Sequence, residues 1–337
     1  MKSGRILNDQ ITASSVFNCP YCFAYCARLD QAEGYNGCYS GWISETFTKE
    51  WLKIDLLVEH NITGVVTQGR QKNGESQWVL LYSISYFKVN HIGETYITDS
   101  NNLIKIFDGN WDIKTERYHF IQPNIKATGI KFNIKGWNEH ISLRVEILGC
   151  RTENNWVRAF KGISMNGLSI YNAWNSGTGS SNKYADKFLI SNTHYRNNVV
   201  LNNWASLDVI KVKLTLYSAF NEELISILFN GVGTSTESWF TKANVESSPW
   251  DDMATASSNI FSIIGDERGR RFLMSSYYAG CGGDTGWFRV DETTSCREWE
   301  GYSTNPLIIY SRTNSKENWT TGNTGVARAM TIDVKLG

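Results

Sequence analysis

WLKIDL at Trp51–Leu56, ITGVVTQGRQ at Ile62–Gln71 and WVLLYSISYF at Trp78–Phe87 decide how this chain reads. Each run is short, rich in β-branched and aromatic residues, and bounded by turn formers, which is the signature of strands. In the first, Leu52, Ile54 and Leu56 alternate with Trp51, Lys53 and Asp55, so one face is predicted to be buried and the other wet. The polar KNGES break at Lys72–Ser76 makes Gly69–Gly74 a projecting hairpin tip that carries Arg70, Gln71 and Lys72. A rigid β scaffold with a charged, aromatic-flanked tip is a binding architecture before it is a catalytic one.

Further blocks lie on either side. GRILNDQITASS at Gly4–Ser15, ARLD at Ala27–Asp30, GW at Gly41–Trp42, VVTQGR at Val65–Arg70, KIFDGNWD at Lys105–Asp112 and LRVEILGC at Leu143–Cys150 follow one another in order. In that order they resemble discoidin domains, the coagulation factor V/VIII type C family, over residues 1–150. The resemblance implies a jelly-roll β-sandwich whose loops at one end bind a glycan, a lipid headgroup or a matrix protein. It places Arg70 at the ligand rim, where a guanidinium fork suits a carboxylate or a vicinal diol; the alternative is a salt bridge to a neighbouring loop. Phe17, Asn36, Gln71, Lys72, Glu75 and Gln77 complete the candidate ligand site, while Trp78, at the start of a strand, reads as core. One departure stands out: ATGIKF at Ala127–Phe132 carries Thr128 where the family has an arginine.

Composition sets the outer bounds. At 337 residues, 41% hydrophobic and 13% aromatic, the chain suits two packed domains. Thirty-three basic residues balance thirty-three acidic ones, which gives no global field for nucleic acid or an anionic membrane. No stretch approaches the apolar length of a transmembrane helix. The chain opens MKSG without a secretory signal, so an extracellular, secreted protein whose targeting peptide has been removed is expected. Asn61-Ile62-Thr63 and Asn318-Trp319-Thr320 are glycosylation sequons that agree with secretion.

Seven cysteines are an odd number for an oxidising compartment. Cys19, Cys22, Cys26 and Cys38 crowd the first loop; the CxxC there lacks the second pair a zinc site needs, and disulfides are expected. In the discoidin family the final cysteine pairs with one before the first strand, which this chain lacks. Cys150 is thus expected to pair with Cys19, Cys22 or Cys26, or with a partner outside the chain. Phe17, Tyr21, Phe23, Tyr25 and Tyr35 share the Val16–Asn36 loop, where membrane-binding relatives place apolar tips; a disulfide-stapled loop that buries its own rings is the preferred reading.

RTENN at Arg151–Asn155 reads as a short linker into a second domain, residues 156–337. Its eight β-like runs are WVRAFKG, DVIKVKLTLY, ELISILFNG, NIFSIIG, RRFLMSS, TGWFRVD, LIIYS and AMTIDVKL, which predict a second β-sandwich. The segment is similar to uncharacterised domains beside discoidin modules in secreted proteins of marine invertebrates. Cys281 and Cys296 flank a predicted hairpin and are expected to pair. Trp250 with Asp251 and Asp252, and Trp287 with Trp299, form a second candidate sugar site, since ring faces stack on pyranoses and carboxylates take hydroxyls. Asp284, Asp291 and Glu292 offer oxygens for calcium, the one cofactor considered, though their spacing is not that of an EF-hand.

Five histidines fall at no metal-ligand spacing, and HExxH, GxSxG and Walker patterns are absent. The chain therefore reads as all-β and non-catalytic, a secreted lectin-like or adhesion protein that binds extracellular glycans. Collagen or another matrix protein, and phosphatidylserine, are the alternative partners.

Overall fold

The computed structural model describes residues 1–70, 74–89, 91–153, 155–278, 282–293 and 304–337. The chain forms two compact units, Met1–Asn155 and Trp156–Gly337. Both are built from β-strands, with only short helical turns between them.

In the first unit the strands are β1 Ile11–Ala13, β2 Trp42–Ile43, β3 Trp51–Gln68, β4 Trp78–Phe87, β5 Thr95–Tyr96, β6 Ile106–Asp108, β7 Arg117–Asn138 and β8 Ser142–Arg151. They run in the order β2-β8-β3-β7-β4-β5, with β1 added to β3 and β6 to β4. The two sequence runs WLKIDL and ITGVVTQ belong to one long strand, β3, rather than two. It stays continuous because the break between them is a bulge. Leu57 adopts a left-handed φ of 62°, the Asp55 carboxylate accepts its N–H at 2.8 Å, and the register with β7 shifts between Asp55 and His60. The N-terminal half of β3 thus pairs with β1 and β7, and the C-terminal half with β7 and β8. Leu52, Ile54 and Leu56 are buried while Trp51, Lys53 and Asp55 stay half-exposed, as the alternation requires. They join Trp42, Ile62, Val65, Tyr82, Ile84, Phe107, Phe132, Leu143 and Val145 in one core. Each fully buried aliphatic chain there contributes roughly 1.5–3 kcal/mol.

The second unit contains β9 Trp156–Ile163, β10 Ser180–Ser181, β11 His194–Arg196, β12 Val209–Tyr217, β13 Glu223–Asn230 and β14 Val245–Ser247, followed by β15 Ile260–Ser262, β16 Arg270–Tyr277, β17 Thr285–Asp291, β18 Leu307–Ser311, β19 Glu317–Asn318, β20 Thr324–Ala327 and β21 Ala329–Leu336. One sheet runs β10-β11-β9-β21-β12-β13-β14 and the other β15-β16-β17-β18-β20, with β19 on β17. All eight runs read as strands are strands. Aromatic rings fill the space between the sheets. Phe229 on β13, Trp239, Phe240, Phe261 on β15 and Phe272 on β16 contact one another with centroids 5.0–6.5 Å apart. Two short helices, Ile170–Asn175 and Asn198–Asn202, were not apparent in the sequence pattern because neither is long enough to show a helical period. Ser169 and Asn197 cap them, accepting from the N–H of Asn172 and of Val200.

A buried histidine gives the second unit a predictable pH response. His194 is fully buried, its Nδ1 accepts the Ile163 N–H at 3.0 Å and its Nε2 donates to the Leu168 carbonyl at 2.9 Å. Burial holds its pKa below the usual 6.5. The unfolded chain therefore binds a proton that the folded chain refuses, and stability is lost as pH falls below about 6.5. Desolvation lowers His60 and His119 in the first unit in the same direction. Thermal unfolding followed from pH 7.5 to 5 should show a falling Tm, and His194→Gln should flatten that slope.

Candidate functional site

Four separate segments meet at one end of the first unit to form a cleft of about 470 Å³. The Val16–Asn36 loop supplies Phe17, Cys19, Pro20, Tyr21 and Cys22, and β2 with the residues leading into it supplies Ile43 and Tyr39. The β3–β4 hairpin adds Arg70, Glu75 and Gln77, and the β7–β8 turn adds His140. Of the residues singled out from sequence, Phe17, Arg70, Glu75 and Gln77 are thus brought together. Asn36 is not among them: it sits exposed in a tight turn with a left-handed φ of 53°. Gln71 and Lys72 lie outside the described residues.

Arg70 makes the floor of the cleft. It is only 4% exposed, and its Nη1 donates to the Glu75 carboxylate and to Gln77 Oε1 at 2.7 Å. Its Nε donates to the Tyr39 carbonyl at 3.3 Å, and its guanidinium lies 5.0 Å from the Tyr39 ring centroid. Burial moves its pKa down from the ordinary arginine value, opposed by the charge of Glu75. The fork is therefore engaged by its own hairpin, through a salt bridge to Glu75, and by the Tyr39 carbonyl, and is not offered whole to a ligand. What faces the cleft is a compensated, polar floor.

A second arginine, which the sequence reading passed over, holds these loops in place. Arg144 on β8 is fully buried, donating to the carbonyls of Gly69 at 2.7 Å, Gln31 at 3.3 Å and Ile113 at 2.8 Å. Burial lowers its pKa to about 10. Gln68 adds a tie between Asp30 and the Lys114 carbonyl. The residue that presents Arg70 is thereby fixed from behind. No motif marked Arg144, because its partners are backbone atoms of three distant loops.

The aromatic loop differs from expectation. Disulfides Cys19–Cys22 and Cys26–Cys38 form, yet Phe17, Tyr21, Phe23 and Tyr35 remain 43%, 56%, 37% and 65% exposed. The sulfurs took the interior positions: Cys22, Cys26 and Cys38 are buried, Tyr25 is half-buried against the core, and Phe23 and Tyr35 remain exposed. Phe23 stacks on Tyr25 at 4.8 Å. At the mouth of the cleft Phe17 meets His140 edge-on at 5.8 Å, and Phe47 packs against both His140 and Trp137. His140 is invisible in the sequence because it reaches the cleft from the far hairpin.

Cys150 is exposed and free, which corrects the expectation that it pairs with Cys19, Cys22 or Cys26; each of those already has a nearer partner. Among the described residues, the second candidate sugar site does not assemble. Trp250 and Trp287 are buried, and Trp287 Nε1 donates to Asp252 at 2.7 Å. Asp251 accepts from Asn314 at 2.6 Å at the surface, while the two rings, one of them bonded to Asp252, belong to the interior of the second unit. Asp284 pairs with Arg270 at 2.7 Å, Asp291 with Arg289 at 2.7 Å, and Glu292 accepts from Ser169 and from the Tyr171 N–H. Cys281, Cys296 and Trp299 lie outside the described residues. Asn61 lies half-buried on β3 opposite Cys150, whereas the Asn318 side chain accepts the N–H groups of Thr320 and Thr321. Among the described residues, no three His, Cys, Asp or Glu side chains converge as metal ligands, and no helix is long and apolar enough to cross a membrane.

Residues 10–147 match the profile of the F5/8 type C domain. The human EGF-like repeat and discoidin I-like domain-containing protein 3 is 36% identical over 158 residues, 45% of this chain and 32% of that protein. Bovine lactadherin is 33% identical over 156 residues, 44% of this chain and 36% of its own length. The chain spans about a third of these curated relatives. A solved structure of wild-type discoidin II from Dictyostelium discoideum aligns over 97% of this chain and 94% of its own, at 16% identity and a TM-score of 0.38. The sequence blocks of the first unit and the profile match agree: residues 10–147 are an F5/8 type C domain.

Proposed function

We propose that the first unit is a glycan-binding module of an extracellular, non-catalytic adhesion protein, with the cleft around Arg70 as the saccharide site. One observation carries this: the positive charge at the cleft floor is cancelled by Glu75, while aromatic walls remain open above it. A compensated floor has little to offer a phosphate but can exchange hydrogen bonds with hydroxyls, and ring faces suit the apolar side of a pyranose. Two disulfides in the loop that forms the wall fit an oxidising compartment and support secretion. An array of neutral saccharides, probed with and without calcium, tests the reading. Phe17→Ala, at an exposed position, should weaken retention about tenfold while leaving the melting temperature unchanged. Equal retention by wild type and variant would remove the saccharide from this cleft.

Exposure of Phe17, Tyr21 and Phe23 favours a second reading, insertion of these rings at a phospholipid surface. That reading expects co-sedimentation with phosphatidylserine vesicles, lost in a Phe17, Tyr21 and Phe23 triple alanine variant.

A further inference from the structure

The two disulfides of the first unit are not equivalent. Cys26 and Cys38 are both buried, 0% and 1% exposed, and their bridge spans 12 residues. Cys19 is half-exposed, its bridge to Cys22 spans only 3 residues, and the whole Cys19-Pro20-Tyr21-Cys22 ring lines the cleft. A short ring constrains the unfolded chain least, so opening it sacrifices little of the fold. The backbone has two hooks here: ahead of the ring Phe17 N–H donates to the Ile43 carbonyl at 2.9 Å, and within it the Tyr21 carbonyl accepts the Tyr39 N–H at 2.9 Å. Beside those backbone hooks, the bridge is the covalent constraint on the wall that carries the Tyr21 side chain.

We propose that Cys19–Cys22 is a redox-sensitive clasp that sets the shape of the cleft and hence its affinity for ligand. This rests on the cleft being the ligand site. The reductant is a dithiol of small-molecule or thioredoxin class. Its thiolate attacks the half-exposed Cys19 sulfur and displaces the Cys22 thiolate, which takes up a proton. The second thiol of the reductant then closes its own disulfide and releases Cys19 as a thiol. Two electrons and two protons pass from the dithiol to the pair. The buried Cys26–Cys38 bridge offers no sulfur to the same attack. Once open, the Cys19–Cys22 segment keeps its backbone hydrogen bond to Tyr39, the Tyr21 ring is held less firmly, and part of the ordering cost moves onto ligand binding.

The test uses the full chain in a Cys150→Ser background, titrated with dithiothreitol, trapped with iodoacetamide and mapped by mass spectrometry. Cys19 and Cys22 should label while Cys26 and Cys38 stay paired. Amide hydrogen exchange should then rise across residues 17–22, and retention on the neutral saccharide array should fall about tenfold, returning on reoxidation. Cys19→Ser/Cys22→Ser should reproduce the reduced behaviour without any reductant. Opening of both bridges at the same dithiothreitol concentration would overturn the proposal, as would unchanged exchange across 17–22 or a double variant that binds like the parent. If neither form retains any saccharide, the glycan reading fails, and labelling with exchange still decides whether the clasp exists.

Discussion

Arg144→Met should destabilise the first unit by about 4 kcal/mol and dismantle the cleft with it. The side chain is fully buried and its donors reach carbonyls from the Gln31, Gly69 and Ile113 segments. Methionine matches the volume closely enough that the loss is polar rather than steric. Three carbonyl oxygens would be left in an interior that water does not reach, each costing about 1–3 kcal/mol before relaxation. A lysine would not rescue, because one ammonium cannot span three loops arranged around a planar fork. Thermal unfolding of the full chain should show the transition of the first unit fall by roughly 10 °C. A drop below about 2 °C would mean the loops hold each other without Arg144.

Trp239→Ala is the counterpart in the second unit, expected to cost about 3–5 kcal/mol. Trp239 is fully buried, contacts Trp174, Phe229 and Phe240 at 5.0–6.1 Å, and donates through Nε1 to the Thr236 carbonyl at 3.1 Å. Removing the indole leaves a cavity among rings fixed by edge-on contacts, which have little freedom to collapse into it. Trp239→Phe should cost less than half as much, since most of the packing survives. Equal losses for the two variants would shift the weight from packing to the Thr236 hydrogen bond. Measured against Arg144→Met, the two changes should lower different transitions in one scan.

What the sequence reveals about this protein follows from how local each signal is. WLKIDL shows its buried face because Leu52, Ile54 and Leu56 repeat every second residue, and the same holds for Val212, Leu214 and Leu216 on β12. The hairpin that joins Arg70, Glu75 and Gln77 is also local, so these residues were legible as neighbours. His140, Tyr39 and Arg144 were not, since they arrive from other hairpins and carry no spacing that points to Arg70. Trp250 and Trp287 misled for the opposite reason. A tryptophan beside aspartates reads as a sugar platform, but Asp252 serves as the acceptor that lets the Trp287 indole be buried. The aromatic loop misled because cysteines and rings compete for the same interior, and composition does not say which side wins.

The long central strand β3 has a consequence for how the first unit is made. Its neighbours β7 and β8 are among the last segments of that unit, with His60 set opposite Arg151 and Gln68 opposite Arg144. During synthesis, at roughly 10 residues per second, β3 leaves the ribosome several seconds before either partner exists. Its unsatisfied edges and apolar face then wait in a chain that cannot yet close. Slowing translation after β3 has emerged from the ribosome but before β7 follows should therefore lengthen that exposure and lower the soluble yield.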